Sequence, residues 1–193
     1  MSKKKFVVIG NGMAGARLVE DIIARGGAEQ FDFVMFGDEP YGNYNRILLS
    51  GVLSGTHNPQ DIFINSLAWY KENNVKLHAG VRVASIDREL KLVTGTDGTV
   101  EAYDCLAIAT GSSPFVPPME GLYRECGLGI ADCGILNTGN SASQTTKLAG
   151  NNFQSAIPNP QSAFKDGVFV FRTLDDCSAI TNYAQGGKRA AVI

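Results

Sequence analysis

The residues whose spacing carries the most chemical content lie near the N-terminus: Gly10-Asn11-Gly12-Met13-Ala14-Gly15, a G-x-G-x-x-G run. Between a strand and a helix, such a run binds the pyrophosphate of a dinucleotide. Gly10 allows the tight turn, Gly12 lets backbone approach the pyrophosphate, and Gly15 lets the helix pack close to the strand. The ligand's negative charge then meets free N–H groups and the positive end of the helix dipole. Next comes the acidic pair Asp38-Glu39, placed where a carboxylate roughly 20 residues past the glycines holds ribose hydroxyls. Arg46 follows; its guanidinium suits phosphate oxygens, and the competing reading is a surface arginine on a short helix. For the glycine run itself the competing reading is an ordinary βαβ turn with no ligand.

The flanking elements favour the nucleotide. Phe6-Val7-Val8-Ile9 is apolar and mostly β-branched, as in a buried strand. Leu18, Val19, Ile22 and Ile23 share one face of a helix over 16–25, which Gly26-Gly27 ends. Residues 31–36 form a second apolar strand leading into Gly37, Asp38 and Glu39. The stretch 39–50 is too rich in turn formers at its start to be a strand. Asn65 or Ser66 caps a short helix running to Asn73, with Leu67, Trp69 and Tyr70 on its apolar side. His57 and His78 lie in no cluster and read as surface or structural side chains.

Strands are predicted over 75–77 and 81–86, then a hairpin of 90–94 and 99–103 around Gly95-Thr96-Asp97-Gly98. A meander at this point distinguishes flavin-binding variants of the fold from plain dehydrogenases. Leu106-Ala107-Ile108-Ala109 is a further buried strand, with Cys105 buried in it. It breaks at Thr110-Gly111, bringing backbone close to whatever occupies the carboxyl edge of the sheet. Residues 122–164 change character, and 137–162, rich in Asn, Ser, Thr, Gln and Gly, read as a loop or disordered insertion. Order resumes with a strand over 168–171 and a helix over 174–184, with Thr173 as N-cap and Asp175-Asp176 in its first turn. Residues 188–193 begin another strand.

Composition narrows the class. A chain of 193 residues, 44% hydrophobic and 19% charged, buries one good core. A net charge of -2 makes no electrostatic case for nucleic acid or anionic membrane. No apolar run is long enough for a bilayer, and Lys3-Lys4-Lys5 leads into a strand rather than a signal peptide, so the expected location is cytoplasmic. Cys105, Cys126, Cys133 and Cys177 form no C-x-x-C pair and no histidine lies at ligand spacing, so no metal is expected and the thiols read as free.

Together, Gly10 to Gly15, Phe36-Gly37-Asp38-Glu39-Pro40, Tyr44-Asn45-Arg46-Ile47-Leu48-Leu49-Ser50, Ala109-Thr110-Gly111 and Phe171-Arg172-Thr173-Leu174-Asp175-Asp176 resemble the N-terminal FAD domain of the pyridine nucleotide-disulfide oxidoreductase-like flavoproteins, nearest to assimilatory NAD(P)H-nitrite reductase large subunits. The resemblance implies an α/β, Rossmann-like FAD-binding domain with a parallel sheet, helices and a small β-meander. It implies FAD with its pyrophosphate over Gly10, Gly12, Met13, Ala14 and Gly15, Asp38 and Glu39 at the adenosine ribose, and Arg46 on the flavin side. It places the Val83 backbone at the adenine, Ala109, Thr110 and Gly111 near the cofactor, and Arg172 in contact with FAD. NAD(P)H is then the electron donor, and electrons leave to a siroheme/iron–sulfur region or a small redox protein outside this chain. Where disulfide reductases carry a redox cysteine, this chain has Leu48-Leu49-Ser50-Gly51, so dithiol chemistry is not expected and no catalytic side chain is assigned. The implied organisation is a first part of the FAD domain (1–121), the insertion (122–165), the domain's continuation (166–187) and the start of a truncated NAD(P)H domain (188–193). The alternatives are a non-catalytic flavin- or nucleotide-binding fragment and an NAD-dependent dehydrogenase.

Overall fold

The computed structural model describes residues 2–117, 119–123, 164–187 and 189–192. Four parallel strands form its centre: β1 (Lys4–Ile9), β2 (Phe31–Gly37), β5 (Val75–Ala79) and β9 (Cys105–Ile108), in the order β5-β2-β1-β9. Val7 and Val8 are both fully buried, because β1 is covered on both faces. Its side chains alternate between two layers. Val8, with Phe33, Met35 and Val75, packs under α1 (Met13–Ala24) and α3 (Leu67–Glu72) through Val19 and Tyr70. Val7 and Ile9, with Val34 and Phe36, pack against the antiparallel meander β6 (Val83–Asp87), β7 (Leu92–Gly95) and β8 (Val100–Ala102). The helix after Ser66 starts as expected, with the Ser66 hydroxyl accepting from the Trp69 amide.

A third cluster lies outside the sheet. β3 (Asn43–Tyr44) pairs antiparallel with β4 (Phe63–Asn65), and α2 (Leu49–Leu53) follows a 3-10 turn at Arg46–Leu48. Tyr44, Leu49 and Ile62 pack there against Leu174 and Cys177 of α4 (Leu174–Ala184). The capping box of α4 is complete. Thr173 Oγ1 accepts from the Asp176 amide at 3.1 Å, and the Asp176 carboxylate accepts from the Thr173 and Arg172 amides, both at 2.8 Å.

Five expectations need correction. The 39–50 stretch does contain a strand, β3, because Gly42 brings the backbone against the Asn65 carbonyl where any Cβ would collide. Residues 168–171 form no strand; Phe169 instead packs edge-on against Tyr183 of α4, with ring centroids 5.3 Å apart. Residues 189–192 have no regular structure, since a strand needs a backbone partner and the described residues supply none. Cys105 is only half-buried, because β9 is an edge strand. His78 does belong to a cluster, described next. Lys188, Ile193, Cys126, Cys133 and residues 124–163, most of the expected insertion, lie outside the described residues.

One polar group fastens the meander to the sheet. Glu101 of β8 is 4% exposed and accepts from Lys5 (3.0 Å), Lys76 (2.7 Å) and His78 (3.0 Å), while His78 stacks on Phe36. Burial alone would raise its pKa, but the donors of Lys76, His78 and Lys5 outweigh it and hold the carboxyl at about 2 against an ordinary 4.5. A depressed carboxyl stabilises fully above its ordinary value and ceases to do so as pH falls toward the folded-state value. The contribution is about 3 kcal/mol at neutral pH, lost between about pH 4.5 and pH 2. Glu101→Gln is expected to lower unfolding free energy at pH 7 by about 2–3 kcal/mol and to flatten that acid limb, as read by urea unfolding across a pH series.

Candidate functional site

A cleft of about 640 Å³ opens at the carboxyl ends of β1, β2 and β9, the side on which open α/β sheets bind ligands. Its floor is the glycine turn. The Gly10 amide donates to the Phe36 carbonyl at 2.9 Å and the Ala109 amide to the Ile9 carbonyl at 2.7 Å, drawing three strand ends together. Gly10 has φ +111°, and a Cβ there would overlap the Ala109 carbonyl. Gly15 lies beneath the floor, where a Cβ would strike the Gly10 carbonyl. In front of Gly12, by contrast, a Cβ would meet nothing within 4 Å. Gly12 is the N-cap of α1, no side chain caps that end, and its first turn holds no acid. The leading amides of α1 and its dipole therefore face the cleft at Met13 and Ala14.

The expected acids and cations line the same cleft. Asp38 stands exposed, 3.9 Å from Arg82. Glu39 is held: one oxygen pairs with Arg46 Nη2, and the other accepts from the Tyr44 hydroxyl at 2.5 Å. Each oxygen keeps a further lone pair for a hydroxyl donor from a ligand. Arg46 also donates through Nη1 to the Arg172 carbonyl at 3.0 Å and to the Tyr44 hydroxyl at 3.2 Å, so it is a built part of the wall rather than a loose surface side chain. On the far side Ala109, Thr110 and Gly111 continue from β9. Gly111 has φ +73°, and the Arg172 guanidinium lies over it, with Nη2 3.2 Å from where a Cβ would be.

Gly15 and Val83 stand apart from the others. Gly15 serves packing, and Val83 borders a separate apolar hollow of about 280 Å³ with Ile9 and Ile108, reached at Thr110. Sequence reasoning passed over Asn11 and Tyr44. Asn11 Nδ2 donates to the Tyr41 carbonyl at 3.3 Å, and its Oδ1 accepts from the Tyr70 hydroxyl at 2.7 Å, anchoring the turn from behind. Burial pushes the Tyr70 phenol up to about 12, so it stays a neutral donor. Burial, and then Glu39, likewise raise the Tyr44 phenol. Position within the motif was a signal for Asn11; Tyr44 offered only its place two residues before Arg46.

The profile of the pyridine nucleotide-disulphide oxidoreductases matches residues 4–193. The chain belongs to the pyridine nucleotide-disulphide oxidoreductase family. It is 35% identical over 193 residues, all of this chain and 20% of the relative, to the assimilatory nitrate reductase electron transfer subunit of Bacillus subtilis. It is 40% identical over 149 residues, 77% of this chain and 18% of the relative, to the NAD(P)H nitrite reductase of Bacillus subtilis. The solved NADH:rubredoxin oxidoreductase of Clostridium acetobutylicum superposes with a TM-score of 0.62 at 22% identity, covering 95% of this chain and 36% of that one, a likeness of fold. The chain spans about a fifth of the length of the curated relatives it matches.

Despite the family's name, no thiol lines the cleft among the described residues. Leu49 occupies that wall, and the Cys177 thiol behind it is buried, donates to the Leu49 carbonyl at 3.6 Å, and has its pKa raised by burial, the state of an inert thiol. No group of described residues could hold a metal ion, and no described helix is long and apolar enough to cross a membrane. The contrast between Gly10 and Gly12 is open to direct measurement. Gly10→Ala is expected to destabilise the fold by about 2 kcal/mol or more through backbone overlap and strain, and Gly12→Ala by no more than about 1 kcal/mol. Thermal and urea unfolding of the two variants side by side checks this.

Proposed function

We propose that this chain is the FAD-binding part of an NAD(P)H-dependent oxidoreductase of the nitrite-reductase large-subunit type. The observation that carries the reading is the pairing of an uncapped α1 N-terminus with open space in front of Gly12. That is a backbone cradle for a diphosphate with no side chain in the way. Its size suits an extended dinucleotide, and Arg172 adds a guanidinium beside Gly111. The residues present fit FAD. The amides of Met13 and Ala14 would hold the pyrophosphate, Glu39 with Asp38 beside it the ribose hydroxyls, and Arg46 and Arg172 the flavin side. Val83 would approach the adenine through its backbone.

When bound, FAD supplies the redox chemistry, accepting hydride from a nicotinamide and passing electrons onward. The chain's own residues bind and orient it. Leu49 supplies apolar wall where a disulfide would otherwise react, so electrons leave by another route: a siroheme/iron–sulfur region or a small redox protein outside this chain. Residues 1–121 and 166–187 make one FAD domain interrupted by 122–165, and 188–193 open an NAD(P)H domain. Free Cys105 and Cys177 agree with a reducing, cytoplasmic setting.

The test is spectroscopic. The purified protein is expected to carry or take up FAD with visible flavin absorbance, and released cofactor should identify as FAD. Gly12→Val should weaken FAD binding by roughly a hundredfold or more while leaving the fold intact, equivalent to about 3 kcal/mol of exclusion. A folded protein that stays colourless and indifferent to FAD overturns the reading. Bleaching by NADH without another polypeptide would show electron entry in this chain alone; flavin binding without bleaching assigns it binding only.

A further inference from the structure

We propose that Tyr44 is a positioning residue for the dinucleotide, holding Glu39 and Arg46 in one arrangement and joining both to the segment that carries Arg172. The inference rests on the FAD reading above and adds to it a residue to which no role has been given. A phenolic hydroxyl has one proton to donate and two lone pairs to accept with. Tyr44 uses all three: it donates to Glu39 Oε2 at 2.5 Å and accepts from Arg46 Nη1 and from the Leu174 amide, each at 3.2 Å. The Leu174 amide is one of the first of α4, which have no partner within their own helix. The same Arg46 nitrogen donates to the Arg172 carbonyl at 3.0 Å, and the Asp176 carboxylate accepts from the Arg172 amide at 2.8 Å. The backbone of Arg172 is thereby gripped from both sides, and its guanidinium is directed over Gly111.

The phenol cannot wander. Tyr44 is 4% exposed, sits in β3, and its ring packs edge-on against Phe63 at 5.9 Å. Glu39 and Arg46, by contrast, are part-exposed side chains with several rotamers to lose on binding a ligand. A fixed hydroxyl bonded to both selects one of those arrangements before the ligand arrives, and pre-organisation of this kind raises affinity. Tyr44 thus acts through its neighbours.

The experiment is a double-mutant cycle on FAD affinity, read by flavin fluorescence titration of the whole chain, with melting temperature read on the same samples. Tyr44→Phe keeps the ring and its packing and removes only the hydroxyl. It is expected to raise the FAD dissociation constant about tenfold in the otherwise unchanged protein and less than twofold in a Glu39→Gln background. Phe33→Leu loosens the core near the amino end of β2, away from the cleft and from Glu39, Tyr44 and Arg46, and it should lower the melting temperature yet change FAD affinity less than twofold. Equal affinity for Tyr44→Phe and the unchanged protein overturns the proposal. So do losses that multiply fully between Tyr44→Phe and Glu39→Gln, and so does a Phe variant unable to fold without ligand, since the hydroxyl's role would then be structural. If the unchanged protein itself binds no FAD, the FAD reading falls first and this inference with it.

Discussion

The carbonyl of Ala109 occupies the space that a Cβ on residue 10 would need. Much follows from that exclusion. It lets the end of β9 close over the turn after β1, and the bond from the Ala109 amide to the Ile9 carbonyl locks the approach. The turn then emerges with α1 aimed into the cleft and its leading amides unshielded. Gly15 repeats the device one layer down, with its missing Cβ admitting the Gly10 carbonyl. The cleft floor is therefore made of backbone, and backbone amides can meet an anion without ordering any side chain.

The walls are assembled differently, from side chains contributed by distant segments. Arg46 and Arg172 lie 126 positions apart and meet through a single guanidinium-to-carbonyl bond. Docking of α4 depends on the apolar cluster of Tyr44, Leu49, Ile62, Leu174 and Cys177, with the Tyr41 hydroxyl donating to Asp175 at 2.7 Å at the rim. On the opposite face Glu101 fastens the meander in a comparable way, with one buried carboxylate collecting donors from β1 and β5. Floor and walls thus rest on different physics: steric allowance in one case, charge-assisted hydrogen bonding in the other.

What could be read from the sequence was whatever local pattern dictates. Val7 and Val8 announce a strand covered on both faces, the 18, 19, 22, 23 spacing announces α1, and Thr173 with Asp176 announces the cap of α4. The candidate site was readable at its floor, because glycine spacing and strand ends are local marks. Nothing local shows that Asn43 and Tyr44 pair with Phe63–Asn65, since that pairing depends on Gly42 passing close to a chain segment more than twenty residues away. The apolar run 168–171 misled for the converse reason: an apolar run records a need for packing, and here Phe169 packs on Tyr183 of α4 rather than into a sheet. Tyr44 and Glu101 escaped notice because each gains its role from partners distant in sequence.

The division of the cleft between early and late segments bears on how the molecule comes into being. Chains emerge from the ribosome N-terminus first, and their domains fold as units. The amide cradle at residues 10–14 is synthesised long before Arg172, Thr173 and the helix that anchors them. A nascent chain therefore gains the amide floor once β9 has emerged, and the wall that carries Arg172 only after the segment through α4 has left the exit tunnel.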